Sequence, residues 1–194
     1  MKKTIILSVL IVVVMGCESY HVKVSDDQFK KSKVLKVEMW HKVLEGNLDN
    51  RSAVYIREIK DGKNQPITVN FHFRAGDLMR SAMMSPFGTT NRTVELDEEA
   101  YILIDDVSNK LPVTNRQLDR TMTVWSGSGA IYGGTHDDLY GTLELSSDIA
   151  KKISRAKNIQ YRFYAKGEPT TLEATPKQLE SLKEFVSNAP LQKN

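Results

Sequence analysis

From Ile67 to Arg74 every second residue is apolar. Ile67, Val69, Phe71 and Phe73 alternate with Thr68, Asn70, His72 and Arg74. A period of two puts each set on its own side of an extended chain, so this segment is a strand with one buried and one wet face. Pro66 opens it, and Asp61-Gly62-Lys63-Asn64-Gln65 separates it from the β-branched and aromatic run Ser52–Lys60. The two runs and their Gly-containing loop read as a β-hairpin. Val34–Val43 repeats the pattern, with Val37, Met39, His41 and Val43 on one face. Arg92–Leu96, Ala100–Asp105, Asp119–Trp125, Leu139–Leu145, Asn158–Ala165 and Thr170–Glu173 are further short strands, and Leu111–Val113 pairs back across Asp106–Lys110.

Helical signals come late. Ser146-Ser147-Asp148 offers side-chain oxygens to the unpaired amides of a first turn, and Ile149, Ile153 and Ala156 then make an apolar stripe. Thr175-Pro176-Lys177-Gln178 is a capping box with proline at the first helical position. Leu179, Leu182, Phe185 and Val186 follow at helical spacing until Ala189-Pro190 stops the run. The expectation is an α+β fold, a mainly antiparallel sheet of seven to nine short strands with two short C-terminal helices covering one face. No internal repeat or second-domain boundary divides the 194 residues. With 40% hydrophobic and 26% charged residues, the composition is that of an ordinary globular chain.

The amino terminus is different in kind. Met1-Lys2-Lys3 is a short positive segment, and Thr4–Met15 is an uncharged apolar run. Its length falls within the ~7–15 residues of an export-signal core and short of the ~20 of a membrane-spanning helix. Val14-Met15-Gly16-Cys17 follows, and this resembles the lipobox of bacterial lipoproteins, with Met15 where Ala, Ser or Thr is more usual. The resemblance implies diacylglyceryl transfer to the Cys17 thiol and cleavage after Gly16. It divides the chain into a signal peptide over 1–16, an acylated Cys17 with a polar tether over 17–33, and one β-rich domain over 34–194. A tether of that length spans roughly 20 Å as a flexible coil. Glu18, rather than Asp, after the cysteine points to the outer membrane. The segment Leu139–Val186 also resembles an ending recurrent among bacterial envelope proteins, and no activity comes with it.

Loss of Lys2 and Lys3 with the signal leaves the 27 basic residues nearly balanced by the 24 acidic ones. That balance, without a concentrated basic patch, argues against nucleic acid as a partner. Cys17 is the single cysteine, so no internal disulfide staples the domain.

No cofactor or metal site is expected. His21, His41, His72 and His136 include no pair at ligand spacing. His136-Asp137-Asp138 and Asp105-Asp106 read as solvated turn formers in loops. Ser126-Gly127-Ser128-Gly129 lacks the glycine that a nucleophile elbow needs two residues before its serine. Gly127, Gly129, Gly133 and Gly134 are followed by no Lys-Ser/Thr, so they form no phosphate loop. The stretch Ser126–Asp138 reads as a mobile connection or a hairpin tip, whose contact groups would be Trp125, Ile131 and Tyr132. Met79, Met83, Met84 and Phe87 fall at near-helical spacing in Gly76–Phe87. They read as a core-covering segment or as an adaptable apolar surface.

These observations favour a non-enzymatic, membrane-anchored domain that binds an envelope or extracellular protein or serves a structural role in the envelope. One alternative is a binder of lipid or another small apolar ligand, with the Met segment and the Gly-rich stretch framing a cleft. Another is an envelope hydrolase, which requires buried, convergent carboxylates.

Overall fold

A computed structural model describes residues 20–27, 32–75, 95–127 and 130–187. The alternating run becomes β6, Ile67–Ala75, at the centre of a large antiparallel sheet. Its neighbour β4 is Leu48–Lys60, and the turn between them is folded over by a two-residue strand, β5, Lys63–Asn64. Asp61 and Gly62 both take positive φ there (51° and 73°), which is why an Asp-Gly pair occupies the turn. On the far side of β4 lie β2, Ser32–Met39, and then β1, Lys23–Asp27. On the other side of β6 lies the long hairpin of β9, Thr114–Gly127, and β10, Ala130–Leu145. The order is β1-β2-β4-β6-β10-β9.

A second antiparallel sheet runs β3-β12-β11-β7-β8. Its strands are β3, Lys42–Glu45; β7, Glu99–Ile104; β8, Val107–Pro112; β11, Ile159–Ala165; and β12, Glu168–Glu173. The described residues thus form twelve strands rather than seven to nine: the polar β1 and the two-residue β5 add to the count, and one run that looks continuous changes sheet. Val34–Val43 keeps one inward set, Val37, Met39, His41 and Val43. The chain nevertheless leaves the larger sheet after Met39 and enters the smaller one at Lys42. It returns to β4 through Gly46, whose φ is 108° and where a Cβ would collide with Thr170 and the Pro169 carbonyl.

Part of the stretch expected as tether is therefore structured. β1 pairs along its whole length with β2, and Tyr20 and Val22 pack against the core. Nothing in Lys23–Asp27 but Val24 is apolar, so the segment reads as linker; its order comes from the ladder with β2. The expected pairing of Leu111–Val113 across a five-residue connection also tightens. β7 and β8 join through Asp105-Asp106 alone, both at positive φ, with Asp105 accepting the Lys157 and Asn158 amides. These two bonds hold its carboxyl below the usual range.

The inner faces of the sheets meet. Phe71 and Phe73 of β6 lie 4.7 and 4.9 Å, ring to ring, from Phe163 of β11, and the Tyr55 and Tyr161 hydroxyls are hydrogen-bonded at 2.9 Å. All five rings are fully buried. Each removes from water an area that stabilises by about 1.5–3 kcal/mol, so the sandwich interior is filled by side chains.

The two helices are where the capping signals put them. In α1, Ser147–Ile153, the Ser146 hydroxyl accepts the Ile149 amide, and Ile149 and Ile153 are buried. In α2, Pro176–Ser187, Thr175 and Gln178 exchange the two bonds of a capping box, and Leu179, Leu182 and Phe185 are buried. Phe185 packs edge-on against Tyr55, and Arg57 of β4 donates to the Phe185 and Val186 carbonyls at the end of α2. The second helix thus lies against the same face of the larger sheet that meets the smaller one.

Candidate functional site

The wet face of β6 carries the most organised polar cluster. Register aligns Asp49, Arg74, Asp138 and Asp119 in one cross-strand row. Ser52, His72, Tyr140 and Gln117 form the next. Directly opposed residues share a face, so four strands bring these side chains to one side of the sheet. At the centre is Asp138, only 7% exposed. Its carboxylate accepts from Arg74 Nε at 3.1 Å and Nη2 at 3.5 Å, and from His72 Nε2 at 3.0 Å. His136 Nε2 lies 3.3 Å from its second oxygen. Tyr140 stacks on the His72 ring at 4.6 Å with planes 13° apart, and Thr142 beside it donates to Asn70.

Burial pushes the Asp138 carboxyl up. The Arg74 and His72 bonds and charges outweigh this, and the net shift is downward. Asp138 is thus a fixed negative charge at neutral pH, not a proton donor. Tyr140 is pushed up by burial and by the Asp138 and Asp119 charges, so its hydroxyl stays protonated. A neutral histidine that donates through Nε2 keeps Nδ1 as an acceptor. Arg74 spends two nitrogens on Asp138, while a guanidinium carries five N–H donors. The cluster thus offers oriented donors, acceptors and a flat stacked pair of rings, all on rigid strands. Among the described residues no serine, threonine or cysteine side chain hydrogen-bonds to His72. No group of three or more His, Cys, Asp or Glu side chains among them is placed to hold a metal ion.

The sequence-derived candidates fall elsewhere. Trp125 lies in β9, and Ile131 and Tyr132 lie in β10, with Trp125 and Tyr132 opposite each other in register. Of the two readings of Ser126–Asp138, the mobile connection is corrected and the hairpin agrees with the antiparallel pairing of β9 and β10, which runs to Ala130 opposite Gly127. β9 continues to Gly127, β10 begins at Ala130, and His136-Asp137-Asp138 is strand rather than loop. The glycines suggested a loop, but the ladder between the two strands overrides them. Asp137 points away from Asp138, because neighbours in a strand face opposite ways, and is held by Arg120 at 2.7 and 2.9 Å. Cys17, Met79, Met83, Met84 and Phe87 lie outside the described residues.

A second polar group is buried. His41, 2% exposed, contacts the Tyr55 hydroxyl at 2.7 Å and Gln178 Oε1 at 3.4 Å. Gln178 donates in turn to the Trp40 carbonyl and to the Tyr20 hydroxyl. This chain joins the N-terminal segment, α2 and both sheets. Burial lowers the His41 pKa to about 4 against a smaller opposing effect of Gln178, and burial pushes the hydroxyls of Tyr55 and its neighbour Tyr161 well up. Its part is structural.

An open depression of about 730 Å³ lies beside α1 and the end of α2, lined by Arg57, Gln65, Ile67, Glu144, Lys151 and Val186 among others. No protein-family model matches the chain, and no curated protein or solved structure is significantly similar to it.

Proposed function

We propose that this protein is a non-enzymatic lipoprotein, anchored through acyl chains on Cys17 in the outer membrane, whose domain recognises a protein partner in the envelope or outside the cell. The observation that carries the recognition reading is the Asp138 cluster. One buried carboxylate holds Arg74, His72 and His136 in place, with Tyr140 stacked alongside. Side chains ordered before contact lose less rotamer freedom on binding, and Arg and Tyr are the types enriched at binding hot spots. The filled interior between the sheets supports recognition at the outer surface over capture of an apolar molecule inside. An ionised, fully engaged carboxylate is a poor general acid, which weighs against hydrolysis at this site.

The test is in-cell photo-crosslinking in the source organism. A photoreactive phenylalanine analogue at position 117, in the same cross-strand row as His72 and Tyr140, yields one discrete adduct. The same group at position 166, in the turn of the smaller sheet, does not. His72→Gln with Arg74→Gln abolishes the adduct while the protein remains folded and membrane-bound. Equal labelling from both positions, or an adduct indifferent to the double substitution, overturns the assignment of the surface.

A further inference from the structure

Acylation at Cys17 brings the domain close to the membrane. Only three residues' worth of chain separates Cys17 from Tyr20, at most about 11 Å when fully extended. Tyr20 is not part of a free tether: it packs against the core, and its hydroxyl accepts from Gln178 at 3.0 Å. Its ring meets Trp40 edge-on, with centroids 6.2 Å apart. Trp40 is 53% exposed, an unusual state for the largest apolar side chain, and Leu44, two steps further along the same outward set, is 42% exposed. Lys42 stands between them, also exposed.

We infer that the Tyr20–Trp40–Leu44 corner docks on the lipid bilayer that holds the acyl chains, with Trp40 in the headgroup region. The inference rests on acylation of Cys17. The headgroup layer is about 5–7 Å deep on each side, so a reach of at most about 11 Å from an acylated Cys17 keeps the Tyr20 corner within a few ångströms of it. Tryptophan and tyrosine are the side chains that favour this layer, with an apolar ring in the acyl boundary and a polar edge toward water. A lysine between them keeps its stem against the apolar surface and its ammonium among the phosphates. Because Tyr20 is fixed to both α2 and Trp40, the corner cannot move farther from the acylated cysteine than that short link reaches without breaking the Gln178 contacts. The domain therefore stands on the junction of β2 and β3 and the N-terminus of α2 in one preferred orientation, rather than swinging on a leash.

The mature acylated protein is reconstituted into vesicles of phosphatidylethanolamine and phosphatidylglycerol, a fraction of the lipid carrying a headgroup nitroxide. The chain has two tryptophans, so Trp125→Phe isolates Trp40 and Trp40→Phe isolates Trp125; far-UV circular dichroism checks that both fold. Mass spectrometry of the N-terminal peptide first establishes the acyl chains. Trp40 emission is expected to fall about twofold with labelled lipid and to resist aqueous iodide. Acyl chains present with Trp40 untouched by the nitroxide and open to iodide overturn the docking while leaving the anchor intact. An unmodified Cys17 overturns both.

Discussion

His41 is a residue whose type looks wrong for its place, an ionisable ring inside a core. Its ring is satisfied by Tyr55 and Gln178 and flanked by Phe71 and Tyr161, so it is tolerated only while neutral. In the unfolded chain it titrates near the ordinary 6.5, and in the folded one near 4. Above the first value neither state binds the proton, and the stability is fully present. Between the two only the unfolded chain does, so stability falls as pH falls, by about 1.4 kcal/mol per unit and roughly 3 kcal/mol in all. Below 4 this contribution is gone. Asp138 and Asp105, with carboxyl groups held low, add losses in the acid range beneath it. Urea denaturation at half-unit steps from pH 7.5 to 4 should show this one-proton slope. His41→Asn should be less stable at pH 7 but flatter through the same window. An unchanged slope in the variant assigns the loss to other groups.

At the scale of elements, α2 ends on a partner from a different part of the fold. The last carbonyls of a helix have no intrahelical donor, and the Arg57 guanidinium, a cation at the negative end of the helix, reaches two of them. Arg57→Met keeps the packed stem and removes the donors, and should cost about 1–3 kcal/mol. Hydrogen exchange should speed in the last turn of α2 and not in its Thr175–Gln178 cap; protection unchanged at Phe185 and Val186 would refute the role. Both helix starts were legible beforehand, because an N-cap serine before α1 and a capping box before α2 are local patterns within four residues. The β4–β6 hairpin was legible for the same reason, with an alternating run on each side of an Asp-Gly turn. Its wet face, including His72 and Arg74, follows from the period alone. The partnership of His72 with Asp138 does not, since those residues are 66 apart and meet only because β10 lies beside β6. No local signal carries strand order. Nor did periodicity reveal that β2 and β3 belong to different sheets, because Val37, Met39, His41 and Val43 keep one alternation across both.

The whole molecule stands or falls on how closely its two sheets approach. Gly141 of β10 sits on the inner face of the larger sheet, where a Cβ would come within 2.7 Å of Leu96 and 2.8 Å of Val113. Leu96 is 2% exposed and bridges to Ala165 at the edge of β11, and Val113 is 5% exposed just after β8. The missing side chain is therefore the space into which the smaller sheet's flank settles. A methyl group there has little room: the atoms it meets belong to buried side chains, and Gly141 is held by its pairing with Phe71 of β6, while the ladder with β9 is irregular between Tyr140 and Thr142. Gly141→Ala would favour the strand by its lower unfolded entropy, but overpacking of a filled core costs about 1–3 kcal/mol. The net expectation is destabilisation and a fall in Tm of several degrees, at ~2–4 °C per kcal/mol for a domain of this size. Since Phe71, Phe73, Tyr161 and Phe163 make one continuous interior, the loss should appear as one transition. Far-UV circular dichroism and tryptophan fluorescence, which report strands and ring environments separately, should shift together. Two separated transitions would mean that the sheets unfold independently and that Gly141 sets a local fit only. A Tm at or above that of the parent would mean that Leu96 and Val113 yield freely.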